Sequence, residues 1–175
     1  MRAAITILTA LICFSQSVRA ADAVDAEVND KTIVGWLEHV VVSRAGLILE
    51  AKLDTGADTS SLHAENIHRF RRDGKRMVRF NVLDTETGKM VQLERPLARI
   101  ARIREHRGDH QSRPVVTMWI CVGTTKKRIE VNLVDRSAFN YPFLLGRSAM
   151  EGHVVIDPSR SFTTMARCDL QDMDQ

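Results

Sequence analysis

From Thr32 onward the chain is a succession of short β-rich runs interrupted by turn residues roughly every 8–12 positions. That rhythm points to an all-β fold, either a barrel or a sandwich. Leu47, Leu49, Ala51 and Leu53 alternate with Ile48, Glu50 and Lys52, the period of a strand with one buried face. Residues 32–42 and 46–53 flank Ser43-Arg44-Ala45 as a hairpin. A second hairpin joins 77–83 to 90–93 across Asp84–Gly88, and a third joins 115–122 to 128–134 across Gly123–Lys126. Residues 97–103, 143–145 and 154–157 complete the expected strands. Short helical turns are expected within Ser61–Arg71 and at Arg147–Glu151, and an exposed polar loop over Arg104–Arg113.

The first twenty residues read as a secretory signal and not as part of the fold. Arg2 is a short basic start, Ala3–Phe14 is an apolar run of the right length, and Val18-Arg19-Ala20 offers small residues for cleavage before Ala21. The run is short for a bilayer span, although an uncleaved anchor is the alternative. Cys13 follows Leu11-Ile12 and lacks the small residue that precedes a lipidated cysteine. The organisation expected is a signal peptide over 1–20, a flexible lead-in over 21–31, one domain over 32–165 and a C-terminal tail over 166–175. The mature protein is then periplasmic or secreted, with no membrane association after cleavage.

The formal charge of +3 includes Arg2 and Arg19, so the mature chain is close to neutral. The basic sequence pI is therefore not a nucleic-acid footprint, and no nucleic-acid partner is expected. Basic residues cluster at 69–79 and 99–107, as solvated strand and loop faces or as contacts for an acidic substrate. Cys121 and Cys168 remain after cleavage. They can pair in an oxidising compartment, or Cys121 can be a buried apolar filler.

The chemistry concentrates at Leu53-Asp54-Thr55-Gly56-Ala57-Asp58-Thr59. A strand that ends in Asp followed by Thr-Gly holds a carboxylate rigidly. Gly56 lets the backbone turn and approach a neighbour closely, and the Thr55 hydroxyl can brace the turn. One carboxylate is a weak catalyst of amide hydrolysis, whereas two about 3 Å apart share a proton and divide the roles of base and acid. The motif occurs once, so the partner of Asp54 is expected to be Asp54 of a second copy in a homodimer. The bland alternative is a turn or cap Asp.

This motif, together with Phe143-Leu144-Leu145-Gly146-Arg147, resembles the retropepsins, single-domain aspartic proteases. A closer resemblance is to a bacterial retropepsin-like group often labelled ATP-dependent zinc proteases. It is carried by Lys52–Ala57, Arg71–Phe80, Arg113–Val116, Asp135–Ser137, Tyr141–Arg147 and Asp157–Phe162, and it spans roughly 32–162. The resemblance implies a closed β-barrel with a short helix, Asp54 as the catalytic residue and Thr55 and Gly56 supporting it. It places Ala57, Asp58, Gly146 and Arg147 in structural or substrate-side roles, with Arg147 pairing with Asp58 and Thr55 bonding across the dimer axis. It implies a peptide or protein substrate, or peptide-like bonds such as glutamyl tails. It also places a substrate-covering flap over Arg79–Pro114, which here is long, basic and without a Gly-rich tip. No cofactor or metal is expected. The chain has no G-x-x-x-x-G-K-[ST] loop for ATP and no H-E-x-x-H, and His63 and His68 are five apart, with His106 or His110 as the remaining candidates for a third ligand. Arg113, Asp135 and Arg136 look like a structural ion-pair group. The alternative function is a non-catalytic periplasmic binding module on the same fold.

Overall fold

The computed structural model describes residues 31–42, 46–104, 110–171 and 173. The expected signal peptide, the lead-in apart from Lys31, the first hairpin turn and the centre of the 104–113 segment lie outside the described residues. The compact unit carrying the fold begins at Thr32. Its strands are β1 (Thr32–Val42), β2 (Leu47–Leu53), β3 (Ser60–His63), β4 (Glu65–Arg72), β5 (Lys75–Leu83), β6 (Met90–Arg104), β7 (His110–Val122), β8 (Thr125–Val134), β9 (Phe143–Leu145) and β10 (Val154–Ser161). One helical turn, α1 (Arg147–Met150), follows β9.

The pairing order β1–β2–β9–β3–β8–β7 returns to β1 through Val41 opposite Cys121 and Val42 opposite Ile120, so six strands close a barrel. Closure removes the exposed edges that a flat sheet would present. The alternation read in β2 is realised, with Leu47, Leu49, Ala51 and Leu53 all buried. They join Val34, Leu62, Ile120, Leu133, Phe143 and Leu145 in one core, which Val78, Phe80 and Val82 of β5 extend.

β6 continues past the barrel wall. Its first half pairs with β5 up to Pro96 and its second half with β7 from Leu97, with a register slip between Leu97 and Arg99. Pro96 has no N–H to donate, and it sits where the strand passes from one partner to the other. Two local readings are corrected here. Ser61–Arg71 holds no helical turn: β3 lies parallel to β8, with Ser60 opposite Val131, and β4 pairs with β5, with His68 opposite Arg79. Arg104–Arg113 is ladder rather than open loop at both ends, since Ile103 pairs with Gln111 and Arg104 with His110. β3 finds its partner far along the chain, whereas β4 and β6 pair with the strands that follow them; in each place the ladder satisfies the backbone and overrides local propensity.

The segment after β10 is tied back by a buried charge and a disulfide. Glu38 on β1 is fully buried. Its Oε1 accepts from Gly35 N–H at 2.7 Å, Thr163 N–H at 2.9 Å and the Thr163 hydroxyl at 2.5 Å. Its Oε2 accepts from Thr164 N–H at 3.1 Å and the Thr164 hydroxyl at 3.2 Å. Burial alone would raise the Glu38 pKa, but the donors from Thr163, Gly35 and Thr164 together outweigh it and hold it below the ordinary value. Cys121 of β7 is bonded to Cys168, and Met173 is buried against Val41 and Cys121.

Two outcomes follow for stability. Glu38→Gln turns an amide N–H₂ toward N–H and O–H donors, and should cost roughly 2–4 kcal/mol at pH 7 in denaturant titrations. A carboxylate with a depressed native pKa gives its full stabilisation above the unfolded value of about 4.3 and loses it as pH falls through the lower native value. The gap between wild type and Glu38→Gln should therefore narrow below about pH 4. A gap unchanged to pH 2 would contradict the clamp. Cys121→Ser with Cys168→Ser opens a link spanning 47 residues, worth at most about 4 kcal/mol by chain entropy, and should lower the denaturant midpoint.

Candidate active site

β2 and β3 are consecutive but do not pair with each other. β9 is inserted between them, parallel to β2 with Leu53 opposite Leu145, and antiparallel to β3 with Ser61 opposite Leu144. The connection 54–59 therefore passes over the end of β9. Asp54 N–H donates to the Leu145 carbonyl at 2.9 Å, Arg147 N–H to Ala57 O at 2.9 Å and Ser148 N–H to Asp58 O at 3.1 Å. The Ser148 hydroxyl donates a further bond to Asp58 O at 2.9 Å. Gly146 is required at this crossing, because a Cβ there would lie 2.7 Å from Asp58 O and from the Thr59 carbonyl carbon.

Within the turn, Gly56 N–H donates to Asp54 Oδ1 at 2.9 Å and Ala57 N–H to the Asp54 carbonyl at 3.2 Å. Lys52 Nζ lies 3.2 Å from Asp54 Oδ2, and about a quarter of the Asp54 side chain (26%) is exposed. Partial burial would raise the Asp54 pKa, but Gly56 N–H and the Lys52 ammonium outweigh it and hold the carboxyl below its ordinary value. Thr55, Gly56 and Asp58 are exposed. Arg147 donates through Nη1 to Thr55 O at 2.8 Å and through Nη2 to Asp58 Oδ1 at 3.3 Å. Both side chains of that pair are more than half exposed, so it orients the turn more than it stabilises the fold.

Arg136 lies just past β8 and is 8% exposed. Its N–H donates to His63 Nδ1 at 2.9 Å, Nη1 to the Ser61 hydroxyl at 2.8 Å and Nε to Tyr141 O at 3.3 Å, and its guanidinium carbon lies 4.5 Å from the Phe139 ring centroid. Burial and the neighbouring Arg113 lower its pKa, while the Asp54 carboxylate opposes them. The ion-pair group read from sequence is corrected in part: Asp135 faces His63 at 3.5 Å and Ser137 N–H at 2.8 Å, and Arg136 makes no ion pair among the described residues. Sequence reading singled out Asp135-Arg136 but had no signal for this burial.

The described basic residues of the two clusters lie on β4, β5 and β6. Arg72 and Arg79 both reach Glu94 at 2.7 Å and flank Phe70, and Arg99 reaches Glu130 at 2.7 Å. Among the described residues, His63 and His68 do not build a zinc site. Glu65 lies 3.6 Å from His63 Nε2 whereas Asp135 lies beside Nδ1, so the two carboxylates flank different ring nitrogens and cannot converge on one ion. His68 instead stacks on Phe70, and His106 lies outside the described residues.

Comparison with known proteins places these features in context. A solved structure of a Legionella pneumophila protein of unknown function superposes with a TM-score of 0.66 at 38% identity, covering 77% of this chain and 98% of that one. Two curated proteins named probable alpha-L-glutamate ligase are similar. That of Parasynechococcus marenigrum is 37% identical over 75% of this chain, and that of Shewanella pealeana is 32% identical over 82%. The chain spans 29% and 32% of their lengths, about a third of each. The family described as "Retropepsin-like aspartic endopeptidase RimB" matches residues 33–167, which contain the turn, its β9 support and the closed barrel. The chain belongs to this RimB-like, retropepsin-like family.

Proposed function

We propose that the protein is an aspartic peptidase that hydrolyses peptide or peptide-like amide bonds with Asp54 and the Asp54 of a second copy. The observation that carries this reading is the turn itself. One carboxylate stands at the end of a buried strand, held from behind by Gly56 N–H, while the other acid of the motif, Asp58, is engaged by Arg147. An exposed Thr55-Gly56 edge lets a two-fold axis bring two such turns together.

Two adjacent carboxylates retain one proton between them. The ionised one takes a proton from water, the protonated one donates to the scissile carbonyl, and water oxygen bonds to the carbonyl carbon. Collapse breaks the C–N bond and the amine leaves with a proton. Lys52 favours the ionised form of each Asp54, so the shared proton is lost at lower pH than in a dyad without a cation nearby. The relatives' name brings α-linked glutamyl peptides forward as first substrates to try. Arg2, Ala3–Phe14 and Val18-Arg19-Ala20 support export and cleavage before Ala21.

A second reading, a substrate-binding module without turnover, is favoured by one observation: the matched segment is about a third of proteins named for ligation, not hydrolysis.

Asp54→Asn separates the two readings. It keeps shape and removes the ionisable group, so turnover should fall at least about a thousandfold with the denaturant midpoint nearly unchanged. Mixing variant with wild-type chains should reduce activity more than in proportion, and specific activity should fall on dilution. The pH–rate profile should be bell-shaped and acid-shifted, and a chelator should leave the rate intact. Full activity in Asp54→Asn, or concentration-independent activity from a monomer, would overturn the dyad.

A further inference from the structure

Arg136 is a buried cation that forms no ion pair among the described residues. Its side chain is more than nine-tenths buried, yet its partners are neutral: the Ser61 hydroxyl, the Tyr141 carbonyl and the Phe139 ring. Nη2 donates to no acceptor among the described residues. Buried charges in proteins are ordinarily paired, because desolvation without an opposite charge is costly. An arginine needed only to clip the 135–142 segment to β3 would be served as well by a neutral donor.

Its surroundings add to the imbalance. Arg113 is near enough to repel Arg136, and Asp54 near enough to attract it. Asp54 is engaged by Lys52 and Gly56 N–H and forms no ion pair with the guanidinium. Arg136 also lines an open cavity of about 390 Å³ with His63, Phe139, Asn140 and Pro142. Glu50 and Asp84 share that wall. Asp84 is turned to the N–H groups of Glu86 and Thr87, and neither acid forms an ion pair with Arg136.

We infer that Arg136 is a carboxylate-binding subsite, in which Nη2 of its guanidinium receives one carboxylate of the substrate near the bond presented to Asp54. The ligand is a carboxylate, from an acidic side chain or from a free C-terminus. With Nη1 on Ser61 and Nε on Tyr141, the guanidinium is held so that Nη2 is a preorganised, charge-assisted donor to it. Selectivity is then confined to one position of the substrate, unlike the diffuse preference that a basic surface gives. The inference rests on the peptidase reading for its register against Asp54, and on the buried guanidinium for its ligand.

The test uses hexa-α-L-glutamate, the six peptides with a single Gln in place of Glu, and the C-terminal amide, with binding and cleavage measured separately on the full mature protein. A single replacement should weaken binding or kcat/KM on the order of 10- to 100-fold while the others have small effects. A dominant Gln position identifies the side chain as the source, and a dominant amide effect identifies the C-terminus. Arg136→Gln, checked for folding by thermal melt, should bring that one ratio close to unity. Arg136→Lys keeps the charge but loses the anchored direction of Nη2, and should reduce the ratio without abolishing it. If Arg136→Gln does not fold, the lysine variant and the wild-type scan decide. The subsite is overturned if no position dominates in wild type, if folded Arg136→Gln keeps the full ratio, or if wild type binds none of the peptides. Cleavage with no dominant position sinks the subsite alone, and position-specific binding without cleavage sinks the peptidase reading alone.

Discussion

The crossing of residues 54–59 over the end of β9 is the constraint on which the rest of the site depends. β2 and β3 are held apart by a strand that arrives about ninety residues later, and backbone bonds from Asp54 to Leu145, Arg147 to Ala57 and Ser148 to Asp58 lock the crossing. Main-chain bonds in a turn cannot relax as side chains do, so Asp54 is positioned by the barrel itself. Gly146 makes the close approach feasible, and Arg147 adds a guanidinium that spans Thr55 and Asp58. The energetic weight lies in the ladder, and the exposed ion pair sets orientation.

Barrel closure solves a second problem, the exposed sheet edge. β1 meets β7 to complete the ring, and β10 covers the other side of β1 in parallel register. The chain beyond β10 is then drawn back by two unlike devices. Glu38 buries a charge that only its five donors make tolerable, and Cys121–Cys168 closes a covalent link on the neighbouring strand. One acts through native-state hydrogen bonding and the other largely through the unfolded chain, so the two respond to different conditions, acid and reductant.

Charge is distributed unevenly around Asp54. Lys52 and Gly56 N–H stabilise its anion, while Arg136 and Arg113 lie within electrostatic reach of each other and Arg136 within reach of Asp54. On the exposed faces of β4–β6, Arg72 and Arg79 share Glu94 and Arg99 pairs with Glu130, whereas Arg136 is buried. A structural reading of Arg136 explains its contacts with Ser61 and Tyr141 but leaves its charge without an ion-pair partner among the described residues.

The sequence by itself determined the β character of the chain, the buried face of β2 and the hairpins of β5–β6 and β7–β8, while the pairing of Asp-Thr-Gly with Leu-Leu-Gly-Arg was implied by the resemblance to retropepsins. These are local signals: period-2 alternation, turn residues, and two short motifs whose residue types are restrictive. Only the tertiary structure decided that Ser60–His63 and Glu65–Arg72 are strands, that β6 passes Pro96 and continues to Arg104, and that Glu38 and Arg136 are buried. Several of those outcomes depend on partners far along the chain, β8 for β3, Thr163 and Thr164 for Glu38, and Ser61 for Arg136, while β4 and β6 are decided by pairing with the strands that follow them. A charged residue in a polar stretch looks solvated until the strands around it close, because burial is a property of the assembled barrel and leaves no periodicity in the sequence.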